Sequence, residues 1–248
     1  MDLLNKTILI TGASDGIGEV LAVEFSKLGS NIILLGRDSS KLDKVYDQLD
    51  HSFGSQKHLI LQADLNLLSN ESAHEILRVI TEEFTCLDGI IHNAAILGTM
   101  TTLEDYELSK WDEVLNINLR APFLLTKILK TILEDSKLPR IIFTSSGVAN
   151  IGRAFWGAYS VSKFGLKGLA EIFANELETT SSIKVFNFDP EATQTKMRAS
   201  ARPAEDPNSI KTPHDLIECY LWFFSEESSH TKKRYFEYAD LSKKVTST

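Results

Sequence analysis

Short, unbroken apolar runs alternate along this chain with longer amphipathic stretches, and that alternation limits the folds open to it. The run Ile32-Ile33-Leu34-Leu35 carries no polar residue at all. A strand of that kind needs cover on both faces, which is the situation in a parallel sheet. Candidate strands cover residues 7–10, 31–35, 58–62, 89–92, 140–144, 184–188 and 234–238. Candidate helices lie between them at 16–28, 40–49, 71–84, 110–133, 156–177 and 213–224. The first of these puts Ile17, Val20, Leu21, Phe25 and Leu28 on one stripe. The order predicts an α/β fold: a single doubly wound domain over residues 1–248, with a mostly parallel seven-stranded sheet flanked by helices. The segment at about 196–213 is polar and carries Pro203 and Pro207. It reads as a long loop or short helical excursion that covers substrate. Residues beyond Asp240 read as a frayed tail.

Charge and composition remove several function classes. Lys and Arg number 26 against 34 Asp and Glu, a net charge of -8, where a nucleic-acid binder carries a basic excess. Cys86 and Cys219 stand in unrelated contexts and the 6 histidines lack ligand spacing, so neither a disulfide framework nor a metal site is expected. The start, Met1-Asp2-Leu3-Leu4-Asn5-Lys6, lacks the features of a signal peptide. No apolar run reaches the roughly 18 residues that span a bilayer. These features predict a cytoplasmic protein with no nucleic-acid and no membrane partner.

Between the first strand and first helix runs Thr11-Gly12-Ala13-Ser14-Asp15-Gly16-Ile17-Gly18. Glycine at Gly12, Gly16 and Gly18 permits a tight turn and close approach of a diphosphate, and the helix start offers free N–H groups to it. This is a Rossmann-like dinucleotide site, with Ser14, Asp15 and Ile17 on the same turn. The second strand ends at Gly36-Arg37-Asp38, where an NAD site carries an acidic residue. A guanidinium at Arg37 suits the 2′-phosphate of NADP, so NADP(H) is preferred and NAD(H) possible. A solvated surface arginine is the alternative, and Asp15 and Asp38 are acidic neighbours that work against the phosphate. Asp64 and Leu65 follow the third strand, where Asp64 can accept from the adenine amino group and Leu65 can pack on the ring. A helix cap is the plainer role for Asp64.

Tyr159 and Lys163 stand four residues apart on a predicted helix, hence on one face. An ammonium near a phenol stabilises the phenolate, and a tyrosine so tuned can exchange a proton with a carbonyl or alcohol oxygen. Ser146 lies just past the fifth strand, where open α/β sheets bind ligands, and its hydroxyl can hold the reacting oxygen. Tyr106 and Lys110 repeat the spacing, without a strand end and serine pair before them.

Taken together, these segments resemble the short-chain dehydrogenase/reductase family over nearly the whole chain, and in detail a bacterial branch of it. The likeness rests on residues 11–18, Asp64-Leu65, Asn93-Ala94-Ala95, residues 116–123, Ser146, residues 159–163 and residues 190–197. It implies an oxidoreductase acting on a small-molecule carbonyl or alcohol, with a catalytic set of Asn118, Ser146, Tyr159 and Lys163. Asn118 would hold a water in a proton relay, and Lys163 would also bind ribose hydroxyls. The resemblance further places Asn93 and Ala94 beside the cofactor, with Pro190, Thr193 and Thr195 in its nicotinamide loop. It implies a homodimer or homotetramer formed through the two long helices. Pro122 has no N–H for the carbonyl of Asn118, which leaves that oxygen open to a water; a plain kink is the other reading. The chain departs from the family's pattern at Ala95 and Glu191, where glycines are usual. Those departures keep a second reading open, a cofactor-binding sensor or interaction protein with weakened catalysis.

Overall fold

A computed structural model describes residues 3–246. Its strands are β1 (Thr7–Thr11), β2 (Asn31–Gly36), β3 (Leu59–Gln62), β4 (Gly89–His92), β5 (Arg140–Thr144), β6 (Lys184–Asp189) and β7 (Tyr235–Glu237). They form one seven-stranded sheet in the order β3-β2-β1-β4-β5-β6-β7, with every pairing parallel. The expected doubly wound α/β fold is therefore present. Strand order reverses at β1 and β4, which opens a crevice above their carboxyl ends.

The helices are α1 (Gly16–Ser26), α2 (Ser39–Tyr46), α3 (Asn70–Glu83), α4 (Leu108–Leu115), α5 (Ala121–Glu134), α6 (Gly157–Leu177), α7 (Lys196–Ala201), α8 (Ile217–Phe223), α9 (Glu226–Ser229) and α10 (Tyr238–Thr246). One core layer joins the sheet to α3, α5 and α6 through residues such as Ile76, Leu125 and Leu166. The other joins it to α1, α2, α8 and α10 through Leu21, Leu42, Phe223 and Leu241. This double cover is what the all-apolar strands required.

Two elements differ from the sequence expectation, and a third takes one of the two forms it allowed. The single helix expected at 110–133 is α4 and α5 joined by a π-turn at Asn116–Arg120. Pro122 supplies the reason, since a residue without an N–H breaks the regular ladder one turn back. The tail expected to fray forms α10, because Leu241 is buried in the second core layer. The segment after Thr195 takes the helical option, with α7 and a 3-10 turn at Pro207–Ser209.

A buried guanidinium ties the C-terminal third to the sheet. Arg140 of β5 is 0% exposed and donates to the Phe223 carbonyl (2.7 Å), the Ser225 carbonyl (3.3 Å) and the Ser229 hydroxyl (2.6 Å). Burial pushes its pKa down to about 10. Among the described residues, no helix is long and apolar enough to cross a membrane.

Candidate active site

The glycine turn is shaped by close approach. Gly12 has a φ of 65°, and a Cβ there would stand 2.8 Å from the Ala94 Cα. A Cβ on Gly18 would meet the Gly12 carbonyl oxygen at 2.3 Å. Only glycine fits both places. The turn is pinned to β4: Asn93 Nδ2 donates to the Thr11 carbonyl at 3.3 Å, and the Ala94 N–H donates to Thr11 Oγ1 at 3.0 Å. No side chain caps the start of α1, so its first N–H groups stay available to an anion. Asp15, which the sequence flagged as a repulsive neighbour, is ion-paired with Lys196 of α7 at 2.6 Å. Asp38 caps α2 by accepting from the Lys41 N–H.

A cavity of about 370 Å³ opens beside this turn. Gly12, Ser14, Asp15, Gly16 and Ile17 form one wall, with Asn93 and Ala94 next to them. Ser146, Tyr159 and Lys163 line the same cavity, as do Pro190, Thr193 and Thr195, the last of these close to Gly16. Gly18, Arg37, Asp64, Leu65 and Asn118 do not line it. Arg37 is exposed at the end of β2. Asp64 accepts the Asn66 N–H at 2.9 Å in a local turn, and Leu65 is buried in the core. Asn118, in the π-turn, accepts the Ile96 N–H (2.8 Å) and donates to the Ile96 carbonyl (2.9 Å) and Ser162 Oγ (3.1 Å).

Tyr159 and Lys163 lie on one face of α6, and both are buried. Lys163 Nζ donates to the Thr144 carbonyl at 2.7 Å and stands 5.7 Å from the centre of the Tyr159 ring. Burial pushes the Lys163 pKa down to about 8, against the pull of Asp189. Burial likewise pushes the Tyr159 phenol up to about 12, while the nearby Ser146 hydroxyl acts to lower it. The sequence alone suggested that Lys163 would bring the phenol down. Desolvation is the larger effect here, and the ammonium gives one of its three N–H groups to the Thr144 carbonyl.

Some wall residues escaped the sequence reading. Asp189, 2% exposed, stands at the carboxyl end of β6 and shares the cavity with Tyr159 and Lys163. The rule that such sheets bind ligands at strand ends would have flagged it. Trp156 and Met197 supply apolar surface. Glu191, a departure from the family pattern, holds a left-handed φ of 55°. Its carboxylate accepts the Ala239 N–H at the start of α10 (3.0 Å) and lies 3.9 Å from Lys211 Nζ, while the residue also lines the cavity.

The model for the short chain dehydrogenase family matches residues 6–206. The chain is 38% identical to an uncharacterized oxidoreductase, YciK, of Escherichia coli (strain K12), over 92% of this chain and 89% of the relative. It is 29% identical to an NADPH-dependent pterin aldehyde reductase of Arabidopsis thaliana, with 73% of each chain covered. Among solved structures, a short chain dehydrogenase of Shigella flexneri complexed with NADP superposes with a TM-score of 0.90 at 37% identity, covering 96% of this chain and 99% of that one. One from Escherichia coli CFT073, complexed with NADPH, gives 0.90 at 37% identity, with 96% and 98% covered.

Proposed function

The chain belongs to the short-chain dehydrogenase/reductase family, and from that premise we propose that it is an NADP-preferring oxidoreductase acting on a small-molecule carbonyl or alcohol. The observation that carries the reading is the convergence of Ser146, Tyr159 and Lys163 on the cavity that the glycine turn walls. The NADP and NADPH complexes of the solved relatives support the choice of cofactor. When bound, the nicotinamide supplies or takes the hydride.

The chain's residues then divide the remaining work. Gly12, Ser14, Gly16, Ile17 and the uncapped start of α1 hold the diphosphate, with Gly18 keeping α1 close. Arg37 meets the 2′-phosphate, and Asp64 with Leu65 flanks the adenosine end. Asn93 and Ala94 fix the backbone beside the turn, while Pro190, Thr193 and Thr195 hold the nicotinamide end. Ser146 orients the substrate oxygen. Tyr159 gives that oxygen a proton in reduction and takes one in oxidation. Lys163 binds ribose hydroxyls and stabilises the phenolate, and Asn118 helps return the proton from solvent. The segment 196–213 covers substrate as part of the one domain.

Exposed Phe123, Phe164 and Ile172 on α5 and α6 support assembly of a homodimer or homotetramer through those helices. The sensor reading is not favoured, since the Glu191 carboxylate is held by the Ala239 N–H and Lys211 and the reacting side chains are assembled. The test is a comparison of NADPH and NADH in binding and in turnover across a carbonyl panel, for wild type and Arg37→Ala. The expected result is a loss of about tenfold in NADPH affinity with NADH unchanged, the scale of a charge-assisted hydrogen bond. Equal use of both nucleotides by wild type would end the NADP assignment, and no turnover with any carbonyl would end the enzymatic one.

A further inference from the structure

The cavity wall carries charges that are ion-paired and charges that are not. Asp15 pairs with Lys196, Arg198 with Glu205, and Glu191 lies near Lys211. Lys163 and Asp189 have no ion pair among the described residues, although both are buried. Asp189 is therefore a carboxylate of the cavity wall with no salt bridge, although its charge acts on Lys163 and Lys211. It is fixed in place: Oδ1 accepts the Glu191 N–H at 2.8 Å, and Oδ2 accepts the Tyr235 hydroxyl at 3.4 Å. Oδ2 also stands 3.5 Å from where a Gly147 Cβ would be, directly after Ser146.

The geometry points to Asp189 as the residue that makes the cavity favour the oxidised, cationic nicotinamide over the reduced, neutral one. The inference rests on the oxidoreductase reading above and adds to it a preference between the two redox forms of the cofactor. Reduction sends a hydride to the carbonyl carbon and the Tyr159 proton to the oxygen. It turns a neutral, reduced nicotinamide into a cation. A buried carboxylate in the same cavity stabilises that cation and does nothing comparable for the neutral form. It also opposes the phenolate that reduction leaves at Tyr159, so the effect the inference uses is the one on the cofactor.

The carboxylate must be ionised for this to operate. The groups that face it are Tyr159 and Lys163 of α6, Tyr220 of α8, Tyr235 and Glu237 of β7, Glu191 beyond β6, and Lys211. Burial, Glu191 and Glu237 raise its pKa, while the two hydrogen bonds it accepts lower it. The bias accordingly grows as pH rises through the titration of Asp189.

The test needs no substrate. Dissociation constants for NADPH and NADP+ are measured by titration at pH 8 for wild type, Asp189→Asn and Asp189→Glu. Removing the charge is expected to weaken NADP+ relative to NADPH by roughly tenfold, the scale of one unit charge acting across a partly buried site. Asp189→Glu keeps most of the wild-type ratio, and Asp189→Ser repeats the measurement if the asparagine variant does not fold. A folded, uncharged variant with an unchanged ratio overturns the inference alone. A wild-type protein that binds neither nucleotide overturns the reading it rests on.

Discussion

Tyr106 and Tyr159 each sit four residues before a lysine, yet the fold uses them differently. Tyr159 projects from α6 into the cavity beside Ser146, with its lysine buried behind it. Tyr106 is a packing residue. Its hydroxyl accepts the Thr99 N–H at 3.2 Å, its ring meets Trp111 edge-on, and it fills the space beside Gly98 and Gly157. Lys110, its partner in sequence, is exposed and paired with Glu113. The pattern of tyrosine and lysine carries no chemistry by itself. Its place after the carboxyl end of β5 does.

The contrast can be broken by substitution. Tyr159→Phe is expected to lower kcat/KM for carbonyl reduction by at least about a hundredfold, the usual reach of general acid catalysis. Tyr106→Phe is expected to stay within about twofold in the same assay. Comparable losses in the two would show that the two positions had been assigned the wrong roles.

Lys163→Met sharpens the comparison through stability. A folded pKa of about 8 against an ordinary 10.5 means that the native state holds this lysine's proton less well than the unfolded chain. Stability therefore rises as pH increases from about 8 to 10.5, and below that window the full penalty for burying the charge applies. The methionine variant should lose activity while gaining on the order of 2–3 kcal/mol at pH 7, less the lost bond to Thr144. Denaturant melts at pH 7 and pH 10 check this, and the gap between the proteins should narrow at the higher pH. Tyr106→Phe, by contrast, should cost about 1 kcal/mol for one hydrogen bond, with no such pH dependence. Lys110→Met should leave Tm and activity unmoved, because exposed helix pairs contribute little.

The fold was legible because unbroken apolar strands have few places to go. The glycine turn, Ser146 and the tyrosine–lysine pair were legible because each chemical need fixes a residue type at a fixed offset. Asp189 was legible only by its place at a strand end, because the absence of an ion pair on which its significance depends is not displayed by sequence. The order of α10 was hidden for a related reason: Leu241 anchors a short, lysine-rich segment only once β7 and α8 are in place. The engagement of Glu191 with Ala239 and Lys211 likewise joins residues far apart in the chain.

Arg140 carries a consequence for how the molecule comes apart. Its guanidinium, on the first residue of β5, satisfies carbonyls and hydroxyls from residues 223–229. Peeling α8 and α9 away would break all of these bonds together. The end of the chain is thus denied a cheap local opening, and its amide hydrogens should exchange with deuterium on the slow timescale of β5 rather than that of a surface appendage.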